Sequence, residues 1–229
     1  MKLGCKVQDA GEGFDAEELE RYDTVVVTFQ DWSVLKEQLL DIYSWVKEGG
    51  RLLTALTPIP NSYFQAVSAK FGIDVIEDYY PPVYGVKFLK ECVIGAEEDD
   101  IFWYDAEKFE GIVSSLAVEL KSECEVYMVS EDGNTPIIWT NDYGKGRIGI
   151  VNEVITQKYQ RGFLALAYSL LEDVFVYPVI NASAFYLDDF PSPIPAGNAE
   201  YIKRDYGVDV ASFCLLYTSP SPRDSTSSR

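Results

Sequence analysis

The stretch Thr24-Val25-Val26-Val27-Thr28-Phe29, then residues 32–48, then Gly49-Gly50, then Arg51-Leu52-Leu53-Thr54-Ala55-Leu56 decides the fold. The first run is short, uncharged and β-branched, the composition of a buried strand. Over 32–48 the apolar residues Leu35, Leu39, Ile42, Tyr43 and Val46 recur at helical spacing, and Gly49-Gly50 supplies the left-handed cap that ends the predicted helix. The apolar run after the glycines then returns as a strand. Strand, helix, strand is the unit of a parallel sheet, because parallel neighbours need a crossover long enough to hold a helix.

Outward from this unit the same alternation continues. Asn61 is placed to cap a second helix with Phe64, Val67 and Phe71 on its apolar face, and Gly72 closes it before the predicted strand Ile73–Ile76. From about residue 83 to 151 the period changes to two. Glu131-Asp132-Gly133-Asn134 separates Val126-Tyr127-Met128-Val129 from Ile137-Ile138-Trp139-Thr140, and Tyr143-Gly144-Lys145-Gly146 separates that run from Ile148-Gly149-Ile150-Val151. This predicts an antiparallel meander. A helix is expected over 156–171, and Ala184-Phe185-Tyr186-Leu187 reads as a new strand after a boundary near residue 175. The expected class is α/β: a doubly wound domain with an antiparallel β extension, then the start of a second domain.

Composition narrows the chemistry. The 229 residues carry 19 Lys+Arg against 37 Asp+Glu, a formal charge of -18, and no histidine. Such an acidic field repels phosphate backbones and anionic headgroups, and the basic residues are scattered singly, so no nucleic-acid partner is expected. Without histidine, Ser-His-Asp and Cys-His catalysis and His-ligated zinc are beyond this stretch acting alone. The cysteines Cys5, Cys92, Cys124 and Cys214 form no C-x-x-C pair. The apolar run 163–171 is about half the length a membrane helix needs, so no membrane insertion is expected. Met1-Lys2-Leu3 leads into Gly4, Lys6 and Gln8 without the apolar segment of a signal peptide.

The leading site candidates are Asp188 and Asp189, adjacent carboxylates at the carboxyl end of an apolar strand, followed by Pro191-Ser192-Pro193-Ile194-Pro195. In α/β barrels that end of a strand carries the active site. Two neighbouring carboxylates suit a division in which one holds a metal and the other takes a proton. The plainer alternative is that either merely caps the loop. Three further features have ordinary readings beside functional ones. Gly144-Lys145-Gly146 lacks phosphate-loop spacing and reads as a turn. Glu97-Glu98-Asp99-Asp100 lacks the alternation of a calcium loop and reads as solvated. Tyr79-Tyr80-Pro81-Pro82 with Tyr84, and Trp103-Tyr104, are core or turn residues unless they present ring faces to sugars.

Tyr186-Leu187-Asp188-Asp189-Phe190-Pro191 resembles the first motif of the polysaccharide deacetylase superfamily, an aromatic-rich strand ending in Asp-Asp. The resemblance implies Asp188 as the catalytic base and Asp189 as a ligand of a divalent metal, zinc being expected. Phe190-Pro191 stands where the superfamily usually has Gly. The remaining ligands there are a downstream pair of histidines, which this chain lacks. Since a catalytic zinc needs about three protein ligands, the chain alone is expected to be inactive and to bind no metal tightly. Residues 185–195 with Tyr201-Ile202-Lys203-Arg204-Asp205-Tyr206-Gly207 resemble an uncharacterised bacterial family, domain of unknown function family 2194, assigned to the same superfamily.

Residues 1–175 resemble class I amidotransferase-like, flavodoxin-like domains through Tyr22-Asp23-Thr24-Val25-Val26-Val27, Trp45-Val46-Lys47-Glu48-Gly49-Gly50-Arg51-Leu52-Leu53 and Tyr143-Gly144-Lys145-Gly146-Arg147. Active amidotransferases carry a Cys on a sharp turn and a His partner. Here residues 54–58 follow the strand with neither, which implies a non-catalytic scaffold or binding module. The first βα unit of such a fold is not found before Gly4, so Met1 is expected to be an internal start. Residues 176–213 are expected to be the first strand and helix of a truncated deacetylase-like barrel. Cys214-Leu215-Leu216-Tyr217-Thr218-Ser219-Pro220-Ser221-Pro222-Arg223-Asp224 resembles a translated sequencing adapter, and 214–229 is therefore expected to be read-through.

The resulting expectation is a fragment of a bacterial envelope or secreted protein whose parent deacetylates a polysaccharide. Two rivals stay open: a non-catalytic polysaccharide-binding or assembly protein, and a glycosidase-like barrel using two carboxylates.

Overall fold

The computed structural model describes residues 6–9, 13, 16–36, 38–77, 79–93, 95–104, 114–153, 160–174, 203–205 and 207. The chain divides into two compact units, 1–179 and 180–229. Among the described residues of the first unit the strands are β1 (Thr24–Val27), β2 (Arg51–Thr54), β3 (Ile73–Ile76), β4 (Gly85–Phe88), β5 (Ile101–Trp103), β6 (Val118–Leu120), β7 (Glu125–Ser130), β8 (Pro136–Tyr143) and β9 (Gly146–Val151). The helices are α1 (Ala16–Leu19), α2 (Leu39–Lys47), α3 (Ser62–Val67) and α4 (Arg161–Ser169), with 3₁₀ turns at Trp32–Leu35 and Ser68–Phe71.

Seven strands form one mixed sheet in the order β1-β2-β9-β8-β7-β4-β5. β1, β2 and β9 run parallel, and every pairing from β9 outward through β8, β7, β4 and β5 is antiparallel. The parallel unit and the β extension of the sequence reading are thus one sheet, joined where the β8–β9 hairpin returns β9 to the side of β2. Leu52 and Leu53 of β2 point to opposite faces and are both fully buried. Leu52 meets Ile42, Val46, Phe64, Trp139 and Ile148 in the layer that includes α2 and α3, whereas Leu53 lies with Val86, Met128, Ile138, Phe163 and Leu166 in the layer that includes α4. Helices on both faces of a buried strand are the layering expected of an α/β sheet. Each fully buried Leu or Phe contributes about 1.5–3 kcal/mol.

Two expectations need correction. The predicted helix over 32–48 is interrupted: Asp31 caps a 3₁₀ turn by accepting from Ser33 N, Lys36 N returns to Ser33 O, and α2 begins only at Leu39. The strand Ile73–Ile76 does not join the parallel sheet either. It pairs antiparallel with β6 in a separate two-stranded sheet. Its burial explains why, since Ile73 is buried whereas Asp74 and Val75 are exposed, unlike a strand covered on both faces. Gly72, at φ 75°, makes the turn into it, and a side chain there would meet Cys124 Sγ at 2.0 Å.

The helix cap at Asn61 is as the sequence predicts: its side chain accepts from Tyr63 N and Phe64 N. The Gly144-Lys145-Gly146 turn has a packing role. Gly144 has φ 67°, a side chain on Gly146 would meet Val46 O at 2.1 Å, and Lys145 N donates to Lys47 O at 2.9 Å. The hairpin tip therefore sits against the end of α2, where only glycine fits. Among the described residues, no helix is long and apolar enough to cross a membrane.

Candidate functional site

Asp188 and Asp189, with the strand 184–187 before them and the proline loop after them, lie outside the described residues. In the second unit the described residues include Arg204, which donates from Nε to Asp205 Oδ1 at 2.6 Å and from Nη2 to Oδ2 at 3.0 Å.

In the first unit, functional geometry is expected beyond the carboxyl ends of the parallel strands, where open α/β sheets bind ligands. β1 runs into Thr28, Phe29 and Gln30, β2 into Ala55, Leu56 and Thr57, and β9 into Asn152 and Glu153. These ends are tied together. Ala55 N donates to Val27 O at 2.9 Å, Gln30 Nε2 to Thr57 O at 3.0 Å, and Ile59 N to Gln30 O at 2.9 Å. Asn152 is buried and fully used: it accepts from Leu116 N at 3.0 Å and donates to Leu116 O and Pro136 O at 2.8 and 2.9 Å.

Glu153 is the chemically distinctive group at this edge. Its side chain is fully buried, and Gln160 Nε2 donates to its Oε1 at 3.0 Å. Burial pushes its carboxyl up from 4.5 to about 7, and hydrogen bonding from Tyr104 and Gln160 holds it down only in part. Thr54 Oγ1, Thr57 Oγ1, Ser115 Oγ and Glu153 Oε2 are buried without a hydrogen-bond partner. The edge thus combines hydroxyls with an acid able to give or take a proton near neutrality. It holds neither cysteine nor histidine, and 54–58 carries no nucleophile of the amidotransferase type.

The sequence reading passed over Glu153, although its signal equals the one that singled out Asp188 and Asp189. An acid follows the apolar run Ile148-Gly149-Ile150-Val151 almost directly, at the carboxyl end of a strand. Two other candidates resolve into structure. Lys145 Nζ pairs with Glu48 at 3.0 Å, which lowers the Glu48 carboxyl. In the acidic loop Glu97 N donates to Asp100 Oδ2 at 2.9 Å, and Asp99 pairs with Lys87. Among the described residues no three His, Cys, Asp or Glu side chains converge on a common point. Cys92 and Cys124 are free thiols, both raised by burial.

The aromatic residues divide by strand register. Trp103 pairs with Gly85, and Tyr104 N donates to Tyr84 O, so alternation puts Trp103 on the face opposite Phe102 and Tyr104. Phe102 packs edge-on to Phe163 at 6.2 Å, on the α4 side. Tyr79, Tyr84 and Trp103 remain 57%, 59% and 61% exposed.

A family profile described as "Uncharacterised protein conserved in bacteria (DUF2194)" matches residues 88–216. No curated protein matches the chain. Solved structures similar to it include Cytoplasmic Protein STM1381 from Salmonella typhimurium LT2, at 16% identity and a TM-score of 0.51 over 67% of this chain and 71% of that one. Cytoplasmic Protein STM3548 from Salmonella typhimurium is similar at 15% identity and a TM-score of 0.47, over 62% of this chain and 65% of that one. The exo-beta-1,4-mannosidase Op5Man5 from Opitutaceae bacterium strain TAV5 aligns at 16% identity and a TM-score of 0.41, over 66% of this chain but only 24% of its own. At such identities a likeness speaks to fold alone. The family match is of another kind, for it spans more than half of the sequence, from the end of β4 through α4 and past Asp188 and Asp189, and the chain belongs to this bacterial family, DUF2194.

Proposed function

We propose that the chain is part of a metal-dependent, deacetylase-like hydrolase that removes N-acetyl groups from a polysaccharide at the bacterial envelope or outside the cell. Asp188 serves as the base and Asp189 as one ligand of a divalent metal. The observation that carries this reading is the placement of the acid pair directly after the aromatic-rich run Phe185-Tyr186-Leu187 and before a proline-rich loop, inside the stretch matched by the family profile. The exposed Tyr79, Tyr84 and Trp103 support a polysaccharide partner, since ring faces left in solvent suit stacking on sugars. The first unit is the accessory part, consistent with the absence of cysteine and histidine from the carboxyl edge of its parallel strands.

The residues of this chain alone do not fit a complete metal centre. There is no histidine, and one carboxylate falls short of the roughly three protein ligands that a catalytic zinc takes. The missing ligands belong, in this reading, to further sequence of the same protein. Metal analysis tests it. The full-length protein carrying this chain is expected to hold about one equivalent of divalent metal, lost in Asp189→Asn, while the 229-residue chain holds none. Stoichiometric metal on the 229-residue chain would show that its own ligands suffice. A metal-free full-length protein would remove the hydrolase reading.

A further inference from the structure

Glu153 sits at a junction. It lies just beyond β9 and accepts a hydrogen bond at 3.0 Å from Gln160, the residue that precedes α4. α4 covers one face of the sheet with Phe163, Leu166 and Ala167 against Leu53, Ile138 and Val151. The carboxyl therefore links the carboxyl end of a central strand to the start of the helix that seals the core. Oε1 accepts from Gln160, whereas Oε2 is buried with no well-aligned donor, the Tyr104 hydroxyl being the other polar group that bears on the carboxyl. That arrangement suits a neutral acid and strongly disfavours an ion, because a buried carboxylate without compensating donors loses its hydration.

We propose that Glu153 is a proton-operated latch on α4: with the proton on, the carboxyl stays buried against Gln160 and the helix remains docked; with the proton off, the junction loosens and α4 releases part of the sheet face it covers. The groups that bear on the carboxyl are the Tyr104 hydroxyl, beyond the end of β5, and the Gln160 amide. Among the described residues, no charged side chain shifts it.

Amide hydrogen exchange on the 229-residue chain tests the latch. After correction for intrinsic rates, protection of α4 amides is expected to fall about tenfold between pH 6 and pH 8, following from a carboxyl that titrates near 7 when buried and near 4.5 when released. Protection of α2 is expected to stay level over the same interval. Glu153→Gln keeps the acceptor for Gln160 and should hold α4 at its low-pH protection throughout. Constant α4 protection in the wild type, an equal fall in α2, or an unchanged pH response in Glu153→Gln would each overturn the proposal. Should that variant fail to fold, NMR of the wild type decides: α4 amide signals that titrate together with the Glu153 carboxyl carbon uphold the latch, and α4 signals that stay level while that carbon titrates remove it.

Discussion

A buried amide, Asn152, and a buried carboxyl, Glu153, stand next to each other in this chain, and they behave in opposite ways. Asn152 makes three hydrogen bonds and has nothing left over. Glu153 accepts one well-aligned hydrogen bond, at 3.0 Å from Gln160, and is otherwise buried, so its folded form prefers the proton. The sign follows: an acid raised from 4.5 to about 7 leaves stability intact below about 4.5, erodes it as pH climbs toward 7, and adds no further loss above. The gap amounts to about 3 kcal/mol as an order of magnitude. Urea unfolding of wild type and Glu153→Gln should therefore agree at pH 4.5 and diverge in favour of the variant by about 2–3 kcal/mol at pH 8. Equal stability at both pH values would mean that the carboxyl ionises in place at little cost. Residue identity in the sequence hinted at this group only by position, since its burial arises from segments far away along the chain.

At the level of elements, what was legible depended on whether the signal was local. Asn61 announces its helix because the cap is made within three residues, to Tyr63 N and Phe64 N. Glycine positions announced turns for the same reason. Strand pairing was another matter. The runs that became β7, β8 and β9 were visible from period two, but nothing local in Ile148-Gly149-Ile150-Val151 says that it lies parallel to Leu52, Leu53 and Thr54. β3 was misassigned because a four-residue apolar segment carries no mark of its partner, and its half-exposed face shows only in three dimensions. Asn152 is the clearest product of such non-local assembly, since it joins β9 to Leu116 ahead of β6 and to Pro136 of β8. Asn152→Ala removes the side-chain partner of the buried Leu116 N and Leu116 O and of the part-buried Pro136 O, and is expected to cost about 3 kcal/mol. Thermal unfolding measures it, and a loss below about 1 kcal/mol would mean that water replaces the amide without strain.

Across the whole molecule, the charge of -18 and the absence of histidine limit what this chain can do by itself. The acidic field argues against polyanionic partners. The mixed sheet with helices on both faces explains how the first unit buries its core, and the likeness to solved structures goes no further than that fold. Of the proposed site, only the sequence of the acid pair was legible, because its chemistry is written in two adjacent residues, whereas a metal centre is assembled from ligands distant in sequence. Release of acetate from an N-acetylated polysaccharide by the full-length protein carrying this chain, compared with its Asp188→Asn variant, tests the central claim most directly. The account predicts acetate release by the wild type that falls by at least about a hundredfold in the variant, the usual scale for losing a general base. Equal release by both proteins, or none by the metal-loaded wild type, would contradict it.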